Sequence, residues 1–327
     1  MKEKSKGKII IPGGSGFLGR HLAKQLSDES YEVVVLSRRF STRMEPYRSV
    51  FWDGATKGPW CAELEGALAV INLSGRTVDC RYHAKNRREI LESRLLSTRI
   101  LSHAIKDAKV APGIFINAAS ATIYADTRGD APANDEVDGK IGEGFSVMVC
   151  REWEAEFNRW TFERTKKVCL RIAITLGEGG GVMTPLRRLA RLGLGGHQGP
   201  GEQFVSWLHV DDFCGIVQNI IEGRLQGSLY NCASPHSMKN RDFMREIRLS
   251  AGGLGRFMGI PMPGWLLAIG AVLIRTETEL VLKSRHVMPK RLLEEGYEFR
   301  RPELEGALSW SRGVGQESEL ERLHPAV

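Results

Sequence analysis

Apolar positions in the first two-thirds of the chain fall into two alternating textures. Short runs rich in β-branched residues occur at Lys8 to Ile11, Glu32 to Ser37, Ala69 to Leu73, Ile114 to Ala119 and Lys167 to Thr175. None alternates apolar with polar residues, so each reads as a strand covered on both faces. Between them, apolar residues recur at helical spacing over Gly19 to Leu26, Lys85 to Ile105 and Phe145 to Phe162. Strands separated by helices predict an α/β fold of Rossmann type, a doubly wound parallel sheet with helices on either side.

After Leu176 the pattern changes. "GEGGGVMTPL" and "GLGGHQGPGEQ" are glycine-rich loops around a short basic helix carrying Arg187, Arg188 and Arg191, and are long enough to cover a pocket. "HVDDFCGIVQNIIEG" then places two aspartates at a helix start. The remainder, from about Pro235, is mostly helical with a proline-rich bend. The expected division is a cofactor-binding domain over 1–177, to which 205–234 returns, and a smaller, mostly helical substrate lobe over 178–204 and 235–327. The apolar stretch 260–274, "IPMPGWLLAIGAVLI", falls short of the roughly 20 residues a bilayer span needs and begins with two prolines, so it is expected as a buried helix.

Composition narrows the class without naming a function. With 327 residues, 42% of them hydrophobic and 26% charged, the chain can bury a full core. The opening MKEKSK lacks a secretory pattern, and a cytoplasmic location with no membrane association is expected. Six cysteines are scattered without C-x-x-C or Cys/His spacing, which predicts reduced thiols and no metal site. The net charge of +7 is spread over several elements rather than clustered with aromatics, so nucleic acid is not an expected partner.

The chemistry begins at Gly13-Gly14-Ser15-Gly16-Phe17-Leu18-Gly19, which follows a strand and opens a helix. In that context Gly13 permits the tight turn, Gly16 lets the backbone approach a pyrophosphate, and Gly19 allows close helix-strand packing. The first N–H groups of the helix then face the anion. The second strand ends in Ser37-Arg38-Arg39, without the carboxylate that would hold a ribose 2′-hydroxyl. Arginines there suit a 2′-phosphate; one charge-assisted contact is worth about 1.5–3 kcal/mol, which predicts NADP(H) over NAD(H).

With "INLSG" at 71–75, "NAASATIYAD" at 117–126, "CLRIAITLG" around Arg171, "SWLHVDD" at 206–212 and the tail "VMPKRLLEEGYEFRRPELEGAL" at 287–308, the chain resembles the extended short-chain dehydrogenase/reductases. Within them it is most similar to the YfcH-like epimerase-family proteins, which end in a small domain of unknown function. The resemblance implies a Rossmann domain holding NADP(H), with Leu73, Ser74 and Gly75 beside the cofactor. It implies that Ser120 hydrogen-bonds the substrate oxygen, that Thr122 and Arg171 line the substrate pocket, and that Asp211 and Asp212 are structural.

The superfamily's proton donor is a Tyr-x-x-x-Lys pair one helical turn apart. Here the helix reads "GFSVMVCREWEAEFNRW", and aligning Glu154 with the family's glutamate puts Ser146 and Cys150 at those two positions. Neither replaces the pair simply. Tyr124, four residues past Ser120, is the candidate donor. Arg81, His83, Lys85, Arg87 and Arg88 are expected mostly on a solvated helix face, with a contact to an acidic substrate left open.

The expected function is an NADP(H)-dependent oxidoreductase or epimerase/dehydratase-like enzyme acting on a sugar nucleotide or another small polar hydroxyl or carbonyl compound, as a monomer or homodimer. The alternative is a silent NADPH-binding sensor that retained the dinucleotide site.

Overall fold

A computed structural model describes residues 5–38, 46–264 and 279–309. Arg39, the greater part of the apolar stretch 260–274, and residues 310–327 lie outside the described residues. Eleven strands are found among the described residues. The first six are β1 (Lys8–Pro12), β2 (Glu32–Ser37), β3 (Arg48–Phe51), β4 (Ala69–Asn72), β5 (Ile114–Ser120) and β6 (Lys166–Ile172). The others are β7 (Ile174–Leu176), β8 (Phe204–Val205), β9 (Trp207–His209), β10 (Leu229–Cys232) and β11 (Met238–Lys239). Seven of these form one sheet in the order β10-β6-β5-β4-β1-β2-β3, with every neighbouring pair parallel. The chain turns outward in both directions from β1 and β4, so the strand order reverses between them, which is where such sheets open a crevice for a ligand.

The sheet's alternating residues divide cleanly between two cores. Ile9, Ile11, Val33, Val35 and Ile71 face the side covered by α1 (Phe17–Asp28) and α5 (Val210–Ile221). Ile10, Val34, Leu36, Val70 and Phe115 face the side covered by α2 (Ala84–Asp107) and α3 (Phe145–Asn158). Burial on both faces is why these strands read as unbroken apolar runs.

A third core joins α4 (Met183–Arg191), β8, β9, α6 (Asn240–Ala251) and α9 (Leu304–Ala307) into a smaller lobe. The short helices α7 (Glu279–Leu282) and α8 (Lys290–Glu294) precede α9 in the C-terminal segment. That segment returns to the sheet: Asp212 of α5 accepts from the backbone N–H groups of Arg300 at 2.6 Å and Arg301 at 3.0 Å. Among the described residues no helix is long and apolar enough to cross a membrane.

Three expectations about elements change. The single run expected over 167–175 splits at Ala173: β6 stays in the sheet, while β7 leaves it to pair with β9. The edge strands β3 and β10 are additional; each gains its strand conformation from one neighbour, β2 or β6. Asp211 and Asp212 lie within the first turn of α5 rather than capping it, and the ring of His209 accepts the Asp211 N–H at 3.2 Å instead.

Candidate functional site

The glycine loop leaves β1 at the sheet's reversal point and enters α1. Gly13 has φ +76°, and a side chain there would meet the Leu73 and Ser74 backbone at 2.8 Å. Gly16 is extended and opens the helix, and a β-carbon on it would meet nothing nearer than 3.4 Å. The α1 amides therefore start from a bare, approachable backbone. A β-carbon on Gly19 would sit 2.4 Å from the Gly14 Cα, so helix and loop touch directly. Phe17 and Leu18, expected at the cofactor, turn their side chains onto the core beneath, and only their backbone is available to an anion. Gly14 packs against Val35 and is likewise a packing position.

A cavity of about 1120 Å³ runs from this loop over the ends of β1, β2 and β4. Gly13, Ser15, Gly16, Ser37, Arg38, Leu73, Ser74 and Gly75, all expected at the cofactor, line it. Ser37 Oγ lies 3.1 Å from Ser15 Oγ, which ties the end of β2 to the loop. Sequence reasoning missed Trp52, Asp53, Ala55 and Arg76 in the same wall. The turn-forming Asp53-Gly54 was the available signal for the first three.

Asp53 is a carboxylate at the ribose end, but its oxygens are occupied. Oδ1 accepts from the Ala55 and Thr56 N–H groups at 2.8 and 2.9 Å, and Oδ2 accepts the Thr56 hydroxyl at 2.5 Å. Against the upward push of partial burial, these bonds hold its pKa below the ordinary aspartate value. Arg38 stands exposed beside it. The cavity fits a dinucleotide in two further respects. Ser74 Oγ and Trp52 Nε1 are buried polar atoms without a hydrogen-bond partner among the described residues, and both residues line it.

At the end of β5, Ser120 Oγ accepts the Thr122 N–H at 3.2 Å. The strand is anchored from behind by a buried network: Asn72 Nδ2 donates to Asn117 Oδ1 at 2.8 Å, and Thr98 of α2 receives the Trp153 indole N–H of α3 at 3.0 Å. Thr98 Oγ1 is also 3.2 Å from Asn117 Oδ1, so β4, β5, α2 and α3 are held as one body.

Two expected site residues move inward. Tyr124 is 2% exposed; its hydroxyl lies 2.8 Å from Asn231 Oδ1 and 2.9 Å from the Asp135 carbonyl, and accepts from Arg171 Nη1 at 2.8 Å. Burial raises its pKa despite the neighbouring guanidinium. A phenol so enclosed orders the structure and cannot reach a substrate as a proton donor. Arg171, expected in the substrate pocket, makes a bidentate pair with Glu154 at 2.8 Å through Nε and Nη2, so all three of its nitrogens point into the protein. Thr122 stays at the site, half-buried.

Helix α3 contains neither tyrosine nor lysine. Ser146 and Cys150 are both buried on it; Ser146 Oγ donates to Glu279 Oε2 at 3.2 Å, and burial pushes the Cys150 thiol up to about 11.

A glycine loop entering a helix at the reversal of a parallel sheet, with a serine at the end of β5, defines an extended short-chain dehydrogenase/reductase. Residues 9–233 match the family model described as the NAD dependent epimerase/dehydratase family, and residues 262–311 match a domain of unknown function, DUF1731. The chain belongs to the NAD-dependent epimerase/dehydratase family. It is 32% identical over 306 residues to the epimerase family protein SDR39U1 of Bos taurus, covering 92% of this chain and 98% of the relative. The crystal structure of the human epimerase family protein SDR39U1 (isoform 2) with NADPH superimposes with a TM-score of 0.80 at 28% identity, over 94% of this chain and 99% of that one. A nucleoside-diphosphate sugar epimerase from Corynebacterium glutamicum shares the fold, with a TM-score of 0.74 at 24% identity over 97% of this chain and 62% of that one.

Proposed function

We propose that the protein is an NADP(H)-dependent oxidoreductase of epimerase/dehydratase type, acting on a small polar hydroxyl or carbonyl compound, sugar nucleotides among them, without a Tyr-x-x-x-Lys pair. The observation that carries the cofactor reading is the ribose end of the cavity, where Arg38 is exposed and the carboxylate of Asp53 is consumed by its own turn. An arginine can pair with a 2′-phosphate through charge-assisted hydrogen bonds, while an engaged carboxylate cannot recruit a 2′-hydroxyl. The NADPH held by the similar human protein supports the same reading.

In this proposal Gly13, Ser15 and Gly16 receive the pyrophosphate, Ser37 and Arg38 the 2′-phosphate, and Leu73, Ser74 and Gly75 the middle of the cofactor. The nicotinamide, when bound, accepts or supplies the hydride. Ser120 Oγ already accepts the Thr122 N–H, which leaves its own proton to donate to a substrate oxygen. Cys150, with its thiol held neutral, and Ser146, engaged with Glu279, take no part in acid-base chemistry near pH 7.

Fluorescence titration with NADPH and NADH tests the reading. NADPH should bind at least about tenfold more tightly, and Arg38→Ala should remove that preference. In NADPH oxidation assays with carbonyl compounds, Ser120→Ala should lower kcat about a hundredfold or more while leaving the NADPH Kd unchanged. Binding of neither nucleotide would overturn the proposal.

A further inference from the structure

Three cations from distant parts of the chain are gathered around the end of β5. Lys283 and Arg285 come from the C-terminal segment just after α7, and Arg94 comes from α2. Lys283 Nζ donates to the Thr122 carbonyl at 2.9 Å, and Arg285 Nε donates to Thr122 Oγ1 at 3.3 Å. Arg285 Nη1 also reaches the Lys283 carbonyl at 3.4 Å. Both side chains are thereby fixed on the residue two places beyond Ser120. Arg94 comes from the other side, its guanidinium 5.1 Å from the centre of the Trp153 ring, donating to the Ile90 and Arg76 carbonyls at 2.9 and 3.1 Å.

All three cations face the thiol of Cys150. That residue stands on α3 where the family's lysine is expected, so positive charge is supplied here from α2 and the C-terminal segment instead. The anions facing the cluster among the described residues are Glu279 and Asp126. Glu279 accepts from Ser146, while Asp126 is taken up by Arg128 at 3.0 Å and by the Ser284 N–H at 2.9 Å. Tyr82, the remaining titratable neighbour, is neutral at pH 7. Burial lowers the pKa of Arg94, Lys283 and Arg285 alike, the sign of cations held against their preference for water. A local excess of buried positive charge is costly to the folded chain unless an anion joins it.

We propose that this cluster is an oxyanion-binding site, in which Lys283, Arg285 and Arg94 hold a carboxylate or phosphate group of the substrate next to Ser120. The proposal rests on the reading of Ser120 as the substrate end of the site, and it adds the charge of the reacting fragment. It also gives the segment matching the domain of unknown function a role, since Lys283 and Arg285 both lie within 262–311. That segment brings two cations over a site the Rossmann domain leaves without them, so substrate recognition is divided between the two parts of the chain.

Calorimetric titration of the full chain saturated with NADPH, at about 0.15 M ionic strength, decides the matter. The probes are glycerol, glycerate and glycerol 3-phosphate, which share a three-carbon skeleton and differ in charge. At least one anionic probe should bind about tenfold or more tightly than glycerol. Preference for glycerate alone identifies a carboxylate, and preference for glycerol 3-phosphate alone a phosphate. The preference should disappear in Lys283→Met and in Arg285→Met and survive in Lys283→Arg, with NADPH affinity unchanged in all three; if Arg285→Met fails to fold, the lysine pair of variants decides. Equal binding of the three probes, no binding of either anion, persistence of the preference in Lys283→Met, or loss of NADPH affinity together with it would each overturn the proposal. Should the wild-type chain bind no NADPH, the cofactor reading fails on its own, and the same titration without nucleotide still measures the anion preference.

Discussion

Arg171 and Tyr124 show how little a residue's type says about its destination. Both stand in stretches that resemble site motifs, and both are sealed beneath the site, where the guanidinium joins Glu154 of α3 to Tyr124 in the loop after β5. Arg171→Met would leave the Glu154 carboxylate buried and unpaired, which should cost about 3–5 kcal/mol in urea unfolding. Adding Glu154→Gln should recover part of that loss, and a double variant as unstable as the single one would contradict the pairing. The glycines were far more legible than these polar residues. Gly13, Gly16 and Gly19 carry their roles in their spacing because the lack of a side chain is a local property, whereas the partners of an arginine are set by elements far away in sequence.

At the level of elements, the β1-loop-α1 unit depends on contact between Gly19 and Gly14. Gly19→Ala places a methyl group 2.4 Å from backbone, where no rotamer can relieve it, so a loss of about 1–3 kcal/mol and weaker NADPH binding are expected together. Gly306→Ala, in α9 with open space around it, should be neutral or stabilising by about 0.5–1 kcal/mol. Melting temperatures of the two variants, read side by side, check both. The main strands and helices were readable because burial on one or two faces leaves its own periodicity. The split between β6 and β7 was not: Ile174–Leu176 is as apolar as the strand before it, and only the availability of β9 as a partner draws it out of the sheet.

Across the whole molecule, buried carboxylates fasten the C-terminal segment to the Rossmann domain. Asp212 receives two backbone N–H groups of that segment, and Glu136 Oε1 receives the Asn231 N–H of β10 at 2.8 Å while Oε2 receives the Arg291 N–H of α8 at 3.4 Å. Asp212→Asn turns one acceptor into a donor facing an N–H, and about 1–3 kcal/mol should be lost. Burial raises the Asp212 pKa against the pull of those N–H groups, so the folded state holds its proton more tightly than the unfolded chain. Its contribution is therefore full below the ordinary aspartate range and declines as pH rises through the raised value. The deficit of Asp212→Asn relative to wild type should accordingly be larger near pH 4 than near pH 7, as thermal unfolding at the two pH values would show. The sequence by itself determined the parallel sheet, the dinucleotide loop and the Arg38 end of the cleft, because each depends on residues within one strand-turn-helix unit or on a periodicity that burial imposes. Only the tertiary structure decided that Asp53 is occupied, that Tyr124 and Arg171 are enclosed, and that Arg94, Lys283 and Arg285 meet at Thr122 and Cys150. Those outcomes depend on contacts between residues up to nearly two hundred positions apart, which no local pattern encodes.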